Sequence, residues 1–179
     1  MEATSPDPGH LTIRALAPED APAYVALRRR ALIDAPLAFG SSPGDDRASD
    51  PEFVRAAIAR VGSSAILGAF DGESLVGIAG LVREEKIKER HKAAIYGMFV
   101  AEEARGAGLG GALLGALVER ARAWDGVLQI HLSVTDAAPE AARLYDRAGF
   151  RQWGQEPRAL CWEGRFAAER HLVLMLDEG

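Results

Sequence analysis

The chain has 179 residues, 48% of them apolar, with 21 basic against 26 acidic side chains and a formal net charge of −5. This suits one well-filled domain, excludes wholesale disorder and argues against a nucleic-acid partner, since phosphate binders carry a basic excess. No apolar run approaches the roughly 20 residues that span a bilayer. The lone cysteine, Cys161, leaves no intramolecular disulfide and no thiolate metal cluster, so a cytoplasmic setting is expected, with Cys161 packed beside Leu160 and Trp162.

Residues 1–10 are polar, contain two prolines and read as a flexible leader to a single domain over 11–179. Leu11 to Leu16 alternates as a half-buried strand does. A helix follows, opened either by Pro18-Glu19-Asp20 or by Asp20 as its cap with Pro22 just inside; Tyr24, Leu27 and Ala31 share its buried face, while Arg28, Arg29 and Arg30 are expected to face mostly water. Asp34 to Asp50 is a long Pro/Gly/Ser/Asp loop, with Phe39 either walling a pocket or pinning the loop. Asp50-Pro51 starts a second helix.

Ser64–Phe70 and Ser74–Val82, joined by Asp71-Gly72-Glu73, read as a β-hairpin. Ala93–Val100 is apolar almost throughout, the pattern of a strand covered on both faces. Leu109–Trp124 has helical periodicity, Val127–Val134 is a strand, and Pro139–Ala148 is a helix ended by Gly149. Phe150–Gly154 and His171–Leu176 complete an order β-α-α-β-β-β-α-β-α-β-β.

The chemistry concentrates where the Ala93–Val100 strand runs into the Leu109 helix. Between them lie Arg105, Gly106, Ala107 and Gly108, and Gly110 and Gly111 follow Leu109. Such glycines let backbone N–H groups converge, and the first amides of a helix are unpaired and sit at the positive end of its dipole. The result is an anion cradle suited to a diphosphate. Glycine inside a helix costs on the order of 1 kcal/mol, so Gly110, Gly111 and Gly115 imply a close neighbour. A P-loop would need Gly-Lys-Ser/Thr, and a dinucleotide fingerprint would open the first β-α unit; neither condition is met.

The run Arg105-x-x-Gly108-x-Gly110 after a buried strand resembles the coenzyme A pyrophosphate loop of the GNAT superfamily of acyl-CoA-dependent N-acyltransferases. Ala141 to Phe150, with its Leu144-Tyr145 and Gly149-Phe150 pairs, resembles the family's other recurrent segment, and the likeness covers most of residues 11–176. It implies an α/β fold with a mixed, mostly antiparallel sheet of six to seven strands, about four flanking helices and splayed central strands.

For function, the resemblance implies acetyl transfer from acetyl-CoA to an amine, a small molecule or a peptide. Met98, Phe99 and Val100 would flank the coenzyme arm, with a bulge at Gly97, and Arg105 to Gly111 would hold the pyrophosphate. Tyr145 would protonate the leaving thiolate, its phenol and the thiol having similar proton affinities. Among base candidates Glu84, Glu85, His91 and Tyr96, Tyr96 is the one expected to face the cleft. His131 reads as a core histidine, and no metal-ligand spacing appears.

One departure is Ala138, where the family commonly carries asparagine; Thr135 or Asp136 are the polar residues nearby. The alternatives are a non-catalytic acyl-CoA sensor of the same fold, or an enzyme acting on protein N-termini or lysines. Trp153, Trp162 and Phe166 mark a homodimer surface or part of the core.

Overall fold

The computed structural model describes residues 11–60 and 62–176; the expected leader lies outside them. Seven strands form one sheet in the order β1-β2-β3-β4-β5-β7-β6. They are β1 (Leu11–Ala15), β2 (Ser64–Asp71), β3 (Ser74–Arg83), β4 (Lys92–Val100), β5 (Gln129–Thr135), β6 (Arg151–Trp162) and β7 (Arg165–Met175). The helices are α1 (Ala21–Asp34), α2 (Pro51–Ile58), α3 (Leu109–Arg122) and α4 (Pro139–Arg147). This is the architecture the sequence implied. Neighbouring strands are antiparallel except β4 and β5, which run parallel.

The β4–β5 seam is short. Three pairs hold it, Lys92 to Ala94 against Gln129 to His131, and beyond them the strands part. On its other side β4 stays paired to β3, with a register shift opposite Ile78–Gly80 where Gly97 takes φ +63. This is the bulge expected at Gly97, and it turns the strand at the mouth of the gap. Burial in β4 alternates and Tyr96 is exposed, so double coverage fails as an expectation: part of its apolar sequence lines the gap.

The core packs α1 and α3 against the sheet through residues such as Leu27, Ile78, Leu81, Leu113 and Leu117. Asp50 caps α2 by accepting from the Glu52 amide at 2.9 Å. Of the two openings offered for α1, the Pro18–Asp20 turn is the one formed, as a 3-10 turn running into Ala21; Asp20 does not cap the helix, and its carboxylate turns back to the Ala17 amide and to Arg14.

Two expectations for the C-terminal strands need correction. β6 continues eight residues beyond Gly154, and β7 starts at Arg165 rather than His171. The added lengths form a ribbon closed by Glu163 (φ +48) and Gly164 (φ +77), the left-handed pair a two-residue hairpin turn requires. Most of β6 is exposed, so no apolar alternation marks it, and Pro157 is tolerated because β6 is an edge strand with a register break at Glu156–Leu160. Cys161, expected to pack, is exposed on this ribbon, as are Trp162 and Phe166. Among the described residues no helix is long and apolar enough to cross a membrane.

Candidate active site

The parted strands leave clefts on both sides of the sheet and a narrow passage between them. One cleft, of about 770 Å³, is lined by Met98, Phe99 and Val100 of β4, the loop Arg105–Gly111 and the start of α4. The other, of about 670 Å³, is lined from α1, the 36–50 loop, β4, β5, β6 and β7. The passage, about 90 Å³, shares Phe39, Met98 and Tyr145 with the first cleft and Tyr96, Gly97 and Ser133 with the second.

The first cleft opens onto the start of α3. The first intrahelical bond of α3 runs from the Ala112 amide to the Gly108 carbonyl at 3.0 Å, leaving the amides of Leu109, Gly110 and Gly111 without a partner inside the helix. Gly106 (φ +84) and Gly108 (φ +77) take conformations closed to most side chains, and a Cβ on either would project into open space. Gly110 has another reason: a Cβ there would stand 3.4 Å from Leu144 and 3.6 Å from Met98, so the residue lets α3 approach α4. Gly115 has nothing within 4 Å, contrary to the close neighbour expected there, and nothing in the structure explains it. Arg105 lines the cleft and ties the loop to β4 through Nε to the Val100 carbonyl at 3.1 Å. Ala107 is exposed and is not among the lining residues.

Tyr145 owes its position to the end of α4. The Phe150 amide bonds the Tyr145 carbonyl at 3.1 Å and the Gly149 amide bonds the Asp146 carbonyl at 3.2 Å, with Gly149 at φ +90. These are the paired bonds of a Schellman closure, and the Tyr145 and Phe150 rings supply its apolar contact with centroids 6.0 Å apart. The Leu-Tyr and Gly-Phe pairs of the sequence are therefore one device. The Tyr145 hydroxyl donates to Met98 Sδ at 3.5 Å, a weak acceptor, and lies on the wall shared by the first cleft and the passage. Burial pushes its pKa up to about 12, so the proton is held more tightly than the sequence argument from matched affinities assumed.

Ala138 holds the N-cap position of α4 with no side-chain cap, and neither expected substitute is free. Thr135 Oγ1 donates to the Leu37 carbonyl at 2.7 Å in a fully buried contact, and Asp136 accepts from the Ala168 amide. Thr135 thereby pins the 36–50 loop. Phe39 fills both roles offered for it, lining all three spaces while packing edge-on to Phe99 at 6.5 Å.

The second cleft is lined by side chains the sequence did not single out for it. Arg28, expected to face water, is 11% exposed and grips Asp46 through Nε and Nη2 at 3.1 and 3.3 Å. Arg30 bonds Glu103, whose pKa falls to about 2 beside that guanidinium. On β5 and β7, Ser133 Oγ and His171 Nδ1 are 2.9 Å apart. His131, read as a satisfied core histidine, lines this cleft with Nε2 unpartnered, and burial pushes its pKa down. Trp153 packs against both rings, centroids 6.2 and 5.4 Å away.

Tyr96 lines the second cleft and the passage, as expected, but its ring covers Gly80. Glu84, Glu85 and His91 line neither cleft. The fold also brings Glu156, Glu169 and His171 within 4.8 Å of one another, a grouping across two strands that linear spacing hid.

The strand gap, the glycine-rich helix start and the closed end of α4 define an acyltransferase architecture. The Acetyltransferase (GNAT) family matches residues 29–150, and the chain belongs to it. An acetyltransferase of the GNAT family from Streptococcus pneumoniae superposes with a TM-score of 0.81 at 24% identity, covering 93% of this chain and 99% of that one. Salmonella typhimurium yncA, solved with its cofactor acetyl-CoA, gives 0.82 at 22%, covering 95% and 96%. A phosphinothricin acetyltransferase from Sinorhizobium meliloti in complex with AcCoA gives 0.80 at 22%, covering 95% and 90%. No match emerges among curated proteins.

Proposed function

We propose that the protein transfers an acetyl group from acetyl-CoA to an amine, meeting the coenzyme on one side of the sheet and the amine on the other. The observation that carries this reading is Tyr145, whose hydroxyl, among the described residues, is bonded only to a thioether at the joint between the two clefts.

The residues present fit the coenzyme. Leu109, Gly110 and Gly111 offer amides to a pyrophosphate, with Gly106 and Gly108 leaving it room and Arg105 adding positive charge. Met98, Phe99 and Val100 lie where β4 has left β5, so their strand edge is open to an extended arm. Acetyl-CoA, when bound, supplies a thioester whose acyl carbon is open to attack and whose sulfur leaves as thiolate.

The remaining work falls to the protein. At neutral pH the buried Tyr145 hydroxyl is a donor, placed to hydrogen-bond and then protonate the departing sulfur. Ser133 Oγ faces the passage and can take the amine's proton while passing its own to His171 Nδ1. Tyr96 suits a base role less well: partial desolvation against the sheet raises its pKa and its ring is packed over Gly80, so in this reading it shapes the passage.

The test is direct. Coenzyme A at a hundred times its Kd should stabilise the wild type by about 2.7 kcal/mol, and acetyl-CoA with an accepted amine should release free thiol. Gly108→Glu should abolish the stabilisation, because it puts a carboxylate at the phosphate cradle and a side chain at φ +77. A shift with NAD and none with coenzyme A would overturn the reading, while coenzyme binding without thiol release across the amines would favour a sensor.

A further inference from the structure

Arg30, in the C-terminal half of α1, has every guanidinium nitrogen committed. Nε bonds Asp34, one turn further along the helix, at 3.2 Å. Nη1 and Nη2 bond the two carboxylate oxygens of Glu103 at 2.6 and 2.7 Å. This is the bidentate fit of a planar fork to a carboxylate, and the Asp34 bond on the third nitrogen limits the fork's rotation. The two partners stand 73 positions apart in the chain.

What Arg30 grips is the approach to the first cleft. Glu103 lies in the short 3-10 turn Glu102–Ala104, and Arg105, which lines the cleft, follows that turn directly. The Arg105 amide bonds the Glu102 carbonyl at 3.1 Å, so the glycine loop grows out of the turn. Arg105, Gly106, Ala107 and Gly108 are all exposed, and a Cβ on either glycine would meet nothing within 4 Å. Little packing therefore fixes this stretch. Among the described residues, two side chains from 101–108 make hydrogen bonds. Arg105 reaches back to Val100 of the strand before it, while Glu103 reaches across to a separate element, α1.

Charge points the same way. The Arg30 guanidinium holds the Glu103 pKa at about 2, so this carboxylate is ionised at neutral pH. Left bare, it would repel a diphosphate arriving at the loop that follows.

We propose that Arg30 is a positioning residue for coenzyme A: through Glu103 it aims the Arg105–Gly111 loop and cancels the carboxylate charge two residues ahead of it. The inference rests on the coenzyme site proposed above. Arg30 itself lines neither cleft, so its influence passes through the turn and the loop.

The test is calorimetric titration of coenzyme A into wild type, Arg30→Gln, Arg30→Lys, Glu103→Gln and the double variant Arg30→Gln/Glu103→Gln, with the melting temperature of each free protein alongside. Arg30→Gln leaves Glu103 both untied and unbalanced, and should raise the Kd about fivefold, the upper end for an exposed pair. Adding Glu103→Gln removes the repelling charge and should recover much of that loss, leaving the smaller deficit of Glu103→Gln alone. Arg30→Lys keeps the charge without the fork and should fall between wild type and Arg30→Gln. In about 1 M salt, where screening acts within about 3 Å, Arg30→Gln and the double variant should bind alike. With an accepted amine, KM for acetyl-CoA should rise in Arg30→Gln while kcat holds.

Unchanged coenzyme A affinity in Arg30→Gln overturns the inference. So does a double variant no better than Arg30→Gln at low salt, because the carboxylate then has no charge effect to cancel. A loss of affinity that only tracks a fall in melting temperature also overturns it, being the sign of a general structural role. If wild type does not bind coenzyme A, it is the acetyltransferase reading that has failed.

Discussion

The two sides of the sheet are made differently. The first cleft comes largely from contiguous runs, Met98–Gly111 and Ala137–Arg147, with the glycine-rich start of α3 among apolar side chains. The opposite cleft gathers side chains from α1, the loop after it, β4, β5, β6 and β7. An anion cradle needs chain conformation, which glycines specify locally, whereas a pocket for an acceptor needs groups that only tertiary structure brings together. In the proposed reading the constant reactant is met by a local motif and the selective one by the assembled fold.

The sharpest way to test this division is at the joint. Tyr145→Phe keeps the ring against Phe150 and removes the hydroxyl facing the passage. Turnover should fall about 10²–10⁴-fold, the usual contribution of a positioned acid, with coenzyme A affinity little changed. Unchanged turnover with chemistry rate-limiting would make Tyr145 a packing residue and break the comparison at its centre.

Alkaline stability tests a property the two sides share. Tyr145 and Tyr24 each hold their proton to about pH 12, against about 10 in an unfolded chain. A folded pKa above the unfolded one gives stability that is whole below pH 10 and is lost as pH rises towards 12. Each tyrosine should account for up to about 3 kcal/mol of that loss, read from denaturant midpoints at pH 9 and pH 12. Tyr145→Phe and Tyr24→Phe should each flatten the decline, and a wild-type stability flat over this window would refute the burial argument.

The smallest effect belongs to Ala138→Asn. An asparagine at this uncapped N-terminus should add at most about 1 kcal/mol to stability or coenzyme A affinity. Loss of coenzyme binding in this variant would show that the start of α4 is arranged for a bare methyl group.

Legibility in the sequence followed the same division. The element order, the glycine loop, the bulge at Gly97 and the segment ending at Phe150 could be read because each is a local pattern. Arg28 was misread because three consecutive arginines look like a solvated face; the available signal was its i,i+4 spacing from buried Tyr24, but Asp46 stands 18 residues away across a loop. His171 and Ser133 meet only through the β5–β7 register, which no spacing reveals. The ribbon of β6 and β7 escaped notice because a strand exposed on both faces has no hydrophobic alternation to detect.

The short β4–β5 seam has a consequence for how this protein avoids its own kind. Past Ala94 and His131, two strands carry free edges in the middle of a sheet, the feature that invites pairing with another chain. Here those edges face each other across a passage of about 90 Å³ walled by Phe39, Leu132, Val134 and Tyr145. A strand from a folded neighbour cannot lie down in such a space, whereas a thin, flexible guest can. The narrowness of the passage shields these edges from pairing with a neighbour's strand, and a variant that widened it should lose solubility.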